Sequence, residues 1–407
     1  MTKSRILFIA ENITLAQVVR LLALARQLPR ERYEVHFACA AFEPWLFEGS
    51  HFRHWPLWTI DGPKALAALG KGDRLYDAAT LGRYVDAELA IIDAVEPDLV
   101  IGDFRLSLAV SARLASVPCA SLINAYWSPY AVRDSFPVPD HPIVRLVGVE
   151  RAQRYFPQAM PRVFEHFAAP LNALRKRHGM PAVSLLEQLC FGDYVLYPDI
   201  PDLTPVVNAP SSHLFIGAVP WSPDLPLSAE LLAGDPSHPL VYVTLGSSGD
   251  RDATGPVLAG LEGLPIRGVL ATAGGAAPRL LPANFKIAEY VPGDLLARHA
   301  RFVVTNGGSS TGYQALAAGV PVLGIPSNLD QYLAMQAITQ AGVGITLRSG
   351  SLARDDVRRA TRVLCEDVAM QDRAADLAHR FAAFDCHRRF QAWLGGVVPA
   401  ASLGVVS

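Results

Sequence analysis

The chain has no long run of one charge, and no apolar stretch as long as a bilayer is thick. Formal net charge is −2 over 407 residues. That balance, without a polybasic patch, argues against nucleic acid as partner and against attraction to a membrane surface, so stable membrane insertion is not expected. Its few cysteines, Cys39, Cys119, Cys190, Cys365 and Cys386, are scattered. None makes a CxxC or His-Cys spacing, which excludes a zinc site or a disulfide framework from the expectation and suits a reduced, cytoplasmic setting. Charged residues make up only 18% against 51% hydrophobic, which excludes intrinsic disorder. No low-complexity tract or short repeat is visible. The apolar stretch in MTKSRILFIAEN is short, lacks a small-residue cleavage site and runs into an amphipathic helix, so it reads as a first strand rather than a signal segment.

What the chain does have is alternation. Ile6–Ala10 reads as a buried strand; a helix follows with Val18, Leu21, Leu22, Ala25 and Leu28 at helical spacing and Pro29 at its end. Val35–Ala40, Leu99–Ile101 and Ala120–Ile123 read as further strands, with helices over Leu75–Val95 and Leu106–Leu114. Val195–Tyr197 and Leu214–Ile216 close this half. Pro220, Pro223 and Pro226 then mark a linker, and a second series begins with Leu240–Leu245, followed by Val269–Ala271, Lys286–Glu289, Phe302–Thr305 and Val322–Ile325. Strands alternating with helices imply parallel, doubly wound sheets of the Rossmann-like α/β class. The expected division is 1–218 as the first domain, 219–228 as linker, 229–385 as the second domain and 386–407 as a tail.

The most informative stretch runs from Val303 to Ala337, VVTNGGSSTGYQALAAGVPVLGIPSNLDQYLAMQA. It reads as strand, glycine-rich turn, helix, strand and a proline-shaped loop ending in Asp330-Gln331. Small residues at such a turn let backbone N–H groups approach a diphosphate, and the following helix adds the positive end of its dipole. Paired carboxylate and amide groups suit the hydroxyls of a sugar. Gly246-Ser247-Ser248 forms a similar turn after Leu240–Leu245.

This segment resembles the donor-binding signature of the family 1, UDP-glycosyltransferase-type enzymes, of the kind found in bacterial natural-product glycosyltransferases. The resemblance covers most of the chain, densely over 240–345 and thinly over 41–75 and 128–180. It implies the GT-B architecture, two Rossmann-like domains facing across a cleft, with the 386–407 tail packing back on the first. It further implies a metal-independent, inverting transfer of a hexose from a UDP- or dTDP-sugar to a hydrophobic small molecule, natural-product or lipid-like, with no cofactor beyond the nucleotide sugar. By the same resemblance, Gly246, Ser247, Ser248, Asn306, Gly307, Gly308, Ser309, Ser310 and Thr311 would contact the diphosphate. Gln314 would meet the ribose, Tyr290 and Val291 the base, and Asp330 with Gln331 the sugar.

Several positions depart from the family pattern. Asn306 stands for the usual His, Gln314 for Glu, Ala334 for Asn, Tyr290 for Trp, and Gly293 for a Gln. An Asn amide still donates but carries no charge. Gln314 admits a nucleotide with one ribose hydroxyl fewer, which keeps UDP and dTDP both open. Asp330 could equally cap its helix.

The largest departure concerns the base. Gln17 fills the slot where the family carries a His, and glutamine takes no proton; Thr14-x-x-Gln17 also reads as a capping box. The acidic partner of that His has a counterpart in Asp103, which could also be a loop residue or cap. Three readings follow: Asp103 takes the proton, directly or through water held by Gln17; the acceptor is acidic enough to need only orientation; or the protein binds a nucleotide sugar without efficient transfer. Trp45, Phe47, Trp55, Trp58, Tyr126, Trp127, Tyr130 and Phe136 sit in loops of the first half. As a set they suit a flat apolar acceptor, with Thr14, Trp58, Tyr126, Trp127, Tyr130 and Phe136 nearest the expected site. His51, His54 and His141 have no ligand spacing, so no metal is expected, and Asp250-Arg251-Asp252 reads as a solvated loop. A nucleotide-sugar isomerase on the same fold and a non-catalytic helper are the rival classes; a homodimer is left open.

Overall fold

The structure is a computed structural model that describes residues 3–40, 44–246 and 249–398. The chain forms two compact units. One comprises the described parts of Met1–Val132, Gln158–Val219 and Phe384–Ser407; the other comprises Arg133–Pro157 and Pro220–Ala383. The 133–157 stretch, expected inside the first domain, therefore groups with the second.

Among the described residues, the first unit is built on a seven-stranded parallel sheet: β1 (Ser4–Ala10), β2 (Tyr33–Cys39), β3 (Arg53–Pro56), β4 (Leu99–Asp103), β5 (Cys119–Leu122), β6 (Tyr194–Tyr197) and β7 (His213–Phe215), in the order β3-β2-β1-β4-β5-β6-β7. Ile6 to Ala10 and Leu99 to Ile101 are wholly buried. Helices cover both faces of such a sheet, which is why these strands read as continuous apolar runs without alternation. The helix Leu15–Arg26 turns Val18, Leu21, Leu22 and Ala25 inward. The helix Ala78–Val95 starts where Asp77 accepts a hydrogen bond from Thr80 N at 2.7 Å. The helix Cys386–Val397 completes this unit: Phe390, fully buried, lies 6.4 Å from Phe8 between ring centroids, and Gln391 donates to the Gln27 carbonyl.

The second unit holds a six-stranded parallel sheet among its described residues. Its strands are β8 (Leu240–Thr244), β9 (Arg267–Ala271), β10 (Phe285–Ala288), β11 (Ala300–Thr305), β12 (Val322–Gly324) and β13 (Gly344–Thr346), ordered β10-β9-β8-β11-β12-β13. A core of Val241, Val243, Leu270, Phe302, Val304 and Leu323 backs onto Val257, Leu261, Val357 and Leu364.

Two kinds of element escape a reading by pattern. The edge strand β3, RHWP, is mostly exposed and polar, so it carries no apolar signal. The helix Val149–Arg177 contains Pro157, Pro161 and Pro170, residues that ordinarily argue against a helix interior.

Three histidines of the first unit, His36, His213 and His387, have pKa values lowered chiefly by burial. The folded state thus prefers them neutral. Above the ordinary imidazole value of 6.5 both folded and unfolded chains are neutral there and the stability is fully present; below it the unfolded chain binds protons first and stability falls. The thermal unfolding midpoint is expected to drop steadily when the pH is lowered from about 7.5 to about 5.5, as scanning calorimetry would show. A midpoint that rises over that window would contradict this assignment.

Candidate active site

In the second unit, strand order reverses between β8 and β11: β9 and β10 extend one way, β12 and β13 the other. In parallel sheets the loops at the carboxyl ends of strands diverge at such a point and leave a crevice for a ligand. Thr244 and Thr305 are register partners at the ends of these two strands, so the turns that follow emerge side by side. Gly246 has φ of 62° and Gly307 of 81°, left-handed values that favour glycine. A Cβ on Gly307 would also lie 2.8 Å from Met335 Cγ and 3.3 Å from the Gln331 carbonyl oxygen, so the turn packs directly on the Asp330-Gln331 helix.

Asn306 is buried, and its Oδ1 accepts from Gly308 N at 3.0 Å and Thr305 Oγ1 at 3.2 Å. A Cβ built on Gly246 would sit 3.4 Å from Asn306 Nδ2, so the donor end of this amide faces the neighbouring turn. Gly308 caps the helix Ser309–Ala317, whose first turn carries Ser309, Ser310 and Thr311. The first N–H groups of a helix have no partner within it and point outward with the dipole. Ser247 and Ser248 lie outside the described residues.

Asn328, not Asp330, caps the helix Leu329–Gln340, accepting from Gln331 N at 3.1 Å. That removes the capping alternative for Asp330, which is exposed in the first turn. Gln331 is buried, and its Oε1 accepts from Ser327 N at 2.9 Å and Ser327 Oγ at 3.2 Å, drawing the 327–331 loop closed. Gln314 donates its amide to the Trp221 carbonyl, and its Oε1 lies 2.8 Å from where a Cβ on Gly293 would stand. It therefore ties together the linker and the Tyr290–Gly293 loop. In that loop Val291 is buried and Tyr290 half-buried; its hydroxyl lies 2.8 Å from a Cβ built on Gly274.

The sheet of the first unit reverses between β1 and β4. Gln17 comes in the helix after β1, and Asp103 is the last residue of β4. Gln17 Oε1 accepts from Ile13 N at 3.1 Å and Thr14 N at 3.0 Å, the capping arrangement. Asp103 is fully buried, and both its oxygens accept from Arg20: Nε to Oδ2 at 2.9 Å, Nη2 to Oδ1 at 2.8 Å. Arg20 Nη1 goes on to Asn124 Oδ1 at 2.7 Å, and Asn124 Nδ2 to Asp199 Oδ1 at 3.1 Å. Taking a proton would cost Asp103 this bidentate pair, so the geometry makes it an ion-pair partner.

A second buried charge cluster lies beside it. Arg105 Nε donates to Glu88 at 2.7 Å, its Nη1 lies 3.5 Å from Glu11, and its guanidinium stacks 3.7 Å over the Tyr84 ring. Glu11 also accepts from Tyr76, Tyr84 and Asn12 N. Burial pushes Glu88 above its ordinary range, against the pull of Arg105 and the Ser107 and Ser111 hydroxyls. Sequence reading missed Glu11, Arg20, Glu88, Arg105 and Asp199. The one signal available was buried-strand context on either side of charged residues, as in IAEN and GDFR.

The aromatic residues do not form one set. Trp58 is 42% exposed, with Arg83 stacked 3.8 Å over its ring, and suits an acceptor surface. Thr14 is partly exposed at its helix N-terminus, and Trp127 packs on the core edge. Tyr130 meets His213 edge-on. Tyr126 is only 3% exposed, a core side chain instead of a lining one. Phe136, under Arg133, belongs to the second unit and is not grouped with the others. Among the described residues no group of His, Cys, Asp and Glu is arranged to hold a metal ion, and no helix is long and apolar enough to cross a membrane.

Residues 269–388 match the family described as erythromycin biosynthesis protein CIII-like, C-terminal domain. A PGL/p-HBAD biosynthesis rhamnosyltransferase of Mycobacterium bovis is 43% identical over 383 residues, 93% of this chain and 84% of that relative. A PGL/p-HBAD biosynthesis glycosyltransferase of Mycobacterium tuberculosis is 41% identical over 381 residues, 93% of this chain and 89% of that one. Among solved structures, a spinosyn rhamnosyltransferase complexed with spinosyn aglycone superposes with a TM-score of 0.71 at 19% identity, covering 96% of this chain and 99% of its own. The two parallel-sheet units are those of the GT-B fold.

Arg20→Met would leave Asp103 buried without its cation, and removing one partner of such a pair costs about 3–5 kcal/mol. Urea unfolding should show a midpoint lowered to match. Unchanged stability would mean that Arg20 does not hold Asp103.

Proposed function

Because the chain belongs to the GT-B glycosyltransferase family that includes the PGL/p-HBAD biosynthesis enzymes, we propose that it moves a hexose from a UDP- or dTDP-sugar to a hydrophobic small molecule with inversion and without a metal. The observation that carries this reading is the adjacency of three features at the carboxyl end of one sheet. The glycine turns after β8 and β11 emerge together, and the Asp330-bearing helix packs on the second of them. Amide groups of the turns and the first turn of Ser309–Ala317 would take the diphosphate, with the Asn306 amide beside them. The exposed Asp330 would accept from sugar hydroxyls. The rhamnosyltransferase names among its likenesses make a deoxyhexose the first donor to test.

Transfer is then a single displacement. The acceptor oxygen bonds to the anomeric carbon as the carbon–oxygen bond to the diphosphate breaks, and the nucleoside diphosphate leaves with the electron pair. The acceptor proton needs a destination. The Gln17 carbonyl and the Asp103 carboxylate are both committed within the first unit. That favours the acidic-acceptor reading, in which a phenol or similar hydroxyl releases its proton to solvent and needs only orientation. Trp58, exposed and backed by Arg83, would offer a face to such a ring.

Asp330→Ala is expected to cut transfer by about ten- to hundredfold, the worth of one or two charge-assisted hydrogen bonds, with an unchanged circular dichroism spectrum. Release of nucleoside diphosphate with a donor panel would read it; wild-type kinetics would refute the sugar-binding assignment. Excess EDTA should leave the rate as it is, and a loss restored by a divalent cation would overturn the metal-free mechanism. In a series of phenols of graded acidity, turnover should rise with acidity and exceed that of the matching benzylic alcohols. Equal rates across the series would require a protein base.

A further inference from the structure

The stretch 133–157 precedes the rest of the second unit by some distance in sequence yet belongs to it, and Asp140 makes most of the side-chain bonds that tie it there. The side chain of Asp140 is 9% exposed. Its Oδ1 accepts from Arg348 Nη2 at 2.5 Å and from the Tyr332 hydroxyl at 3.1 Å; its Oδ2 accepts from Ser349 Oγ and Gly350 N, each at 2.9 Å. Its own N–H donates to the Ser327 carbonyl at 2.9 Å. Arg348 adds a bond to the Val138 carbonyl at 2.9 Å and stacks 4.8 Å over the Tyr332 ring.

Two of these partners flank Asp330 along the chain, Ser327 in the loop before its helix and Tyr332 within that helix. Ser327 is the residue whose N–H and hydroxyl are drawn in by Gln331 Oε1, and Tyr332 follows Gln331 directly. The loop is thus gripped from both sides, by Gln331 within and by Asp140 from a remote stretch. We propose that Asp140 is a positioning residue for the donor sugar: it locks Ser327 and the first turn of the helix Leu329–Gln340 so that the exposed Asp330 carboxylate keeps one geometry toward the sugar hydroxyls. The proposal rests on the donor-site reading above. Asp140 touches the Asp330-bearing segment directly and reaches the Gly307 turn only through it, so the grip acts first on the sugar and less on the nucleotide diphosphate. Four donors converging on one largely buried carboxylate, with an arginine among them, make an arrangement in which a neutral or shorter side chain leaves donors unpaired.

Titration calorimetry on the full chain separates the two ligands, using UDP and dTDP alone and then their hexose conjugates. Asp140→Ala is expected to bind the bare diphosphate within about twofold of the parent and the conjugate about tenfold more weakly, a difference of about 1.4 kcal/mol. Donor KM should rise in step while acceptor KM stays. Asp140→Asn, which keeps acceptor capacity for Ser349 and Gly350, should lose less, and Tyr332→Phe, which removes one hydroxyl, should shift the conjugate alone. An equal loss for diphosphate and conjugate, or no loss for either, would overturn the positioning role while leaving the donor site standing. A parent chain that binds neither ligand would overturn both.

Discussion

Reversal of winding direction is the constraint on which the rest of this molecule depends. A parallel sheet can be extended from either edge of its first strand. Where the chain switches edges, the loops above two neighbouring strands must turn away from one another. Both units do this once, between β1 and β4 and between β8 and β11. Glu11, Gln17, Asp103 and Arg105 lie at or just past the ends of the first pair of strands, and Gly246, Asn306 and Gly307 just past the second. The candidate site residues gather where the topology leaves space.

What the two edges do with that space differs. In the second unit the side chains with donor or acceptor capacity close turns: Asn306 Oδ1 on Gly308, Gln331 on Ser327, Asn328 on Gln331. This turns side-chain oxygens onto the loops themselves; in the reading proposed above, backbone N–H groups and the exposed Asp330 carboxylate meet an anionic, polyhydroxylated substrate. In the first unit the polar groups face each other. Arg20, Asp103, Asn124 and Asp199 form one chain of contacts, and Glu11, Glu88, Arg105 and two tyrosines form another. Buried ion pairs of this kind contribute little net stability but are costly to break singly, so they fix loop geometry more than they strengthen the fold.

Much of the second unit was legible because its constraints are local. Glycine at positive φ, a helix starting directly after a strand, and a proline two residues before a cap each leave a mark on the sequence, and Gly307, Ser309 and Pro326 carry those marks. The doubly wound α/β class followed from alternation once the two series of strands were separated, and the GT-B architecture from the resemblance carried by Val303–Ala337. The base did not, because its environment is assembled from distant residues. Nothing near Asp103 announces that Arg20 will occupy both its oxygens, or that Gln17 will turn its oxygen to the backbone of Ile13 and Thr14. Tyr126 illustrates a similar limit: an aromatic residue in a loop and one in the core look alike until burial is known. The placement of 133–157 was hidden for the same reason, since Asp140 meets partners more than 190 positions away.

The return of the helix Cys386–Val397 to β1 has a consequence for biosynthesis. Phe390 fills space beside Phe8, and Arg389 donates to the Phe215 carbonyl, so the first unit is assembled from segments separated by the whole of the second. On the ribosome the opening sheet must wait, its apolar flank uncovered, while the later-encoded unit emerges and folds. The nascent chain therefore passes through a stage in which the second half is finished and the first is not, an inversion of vectorial order that makes the early intermediate the one most in need of chaperone protection.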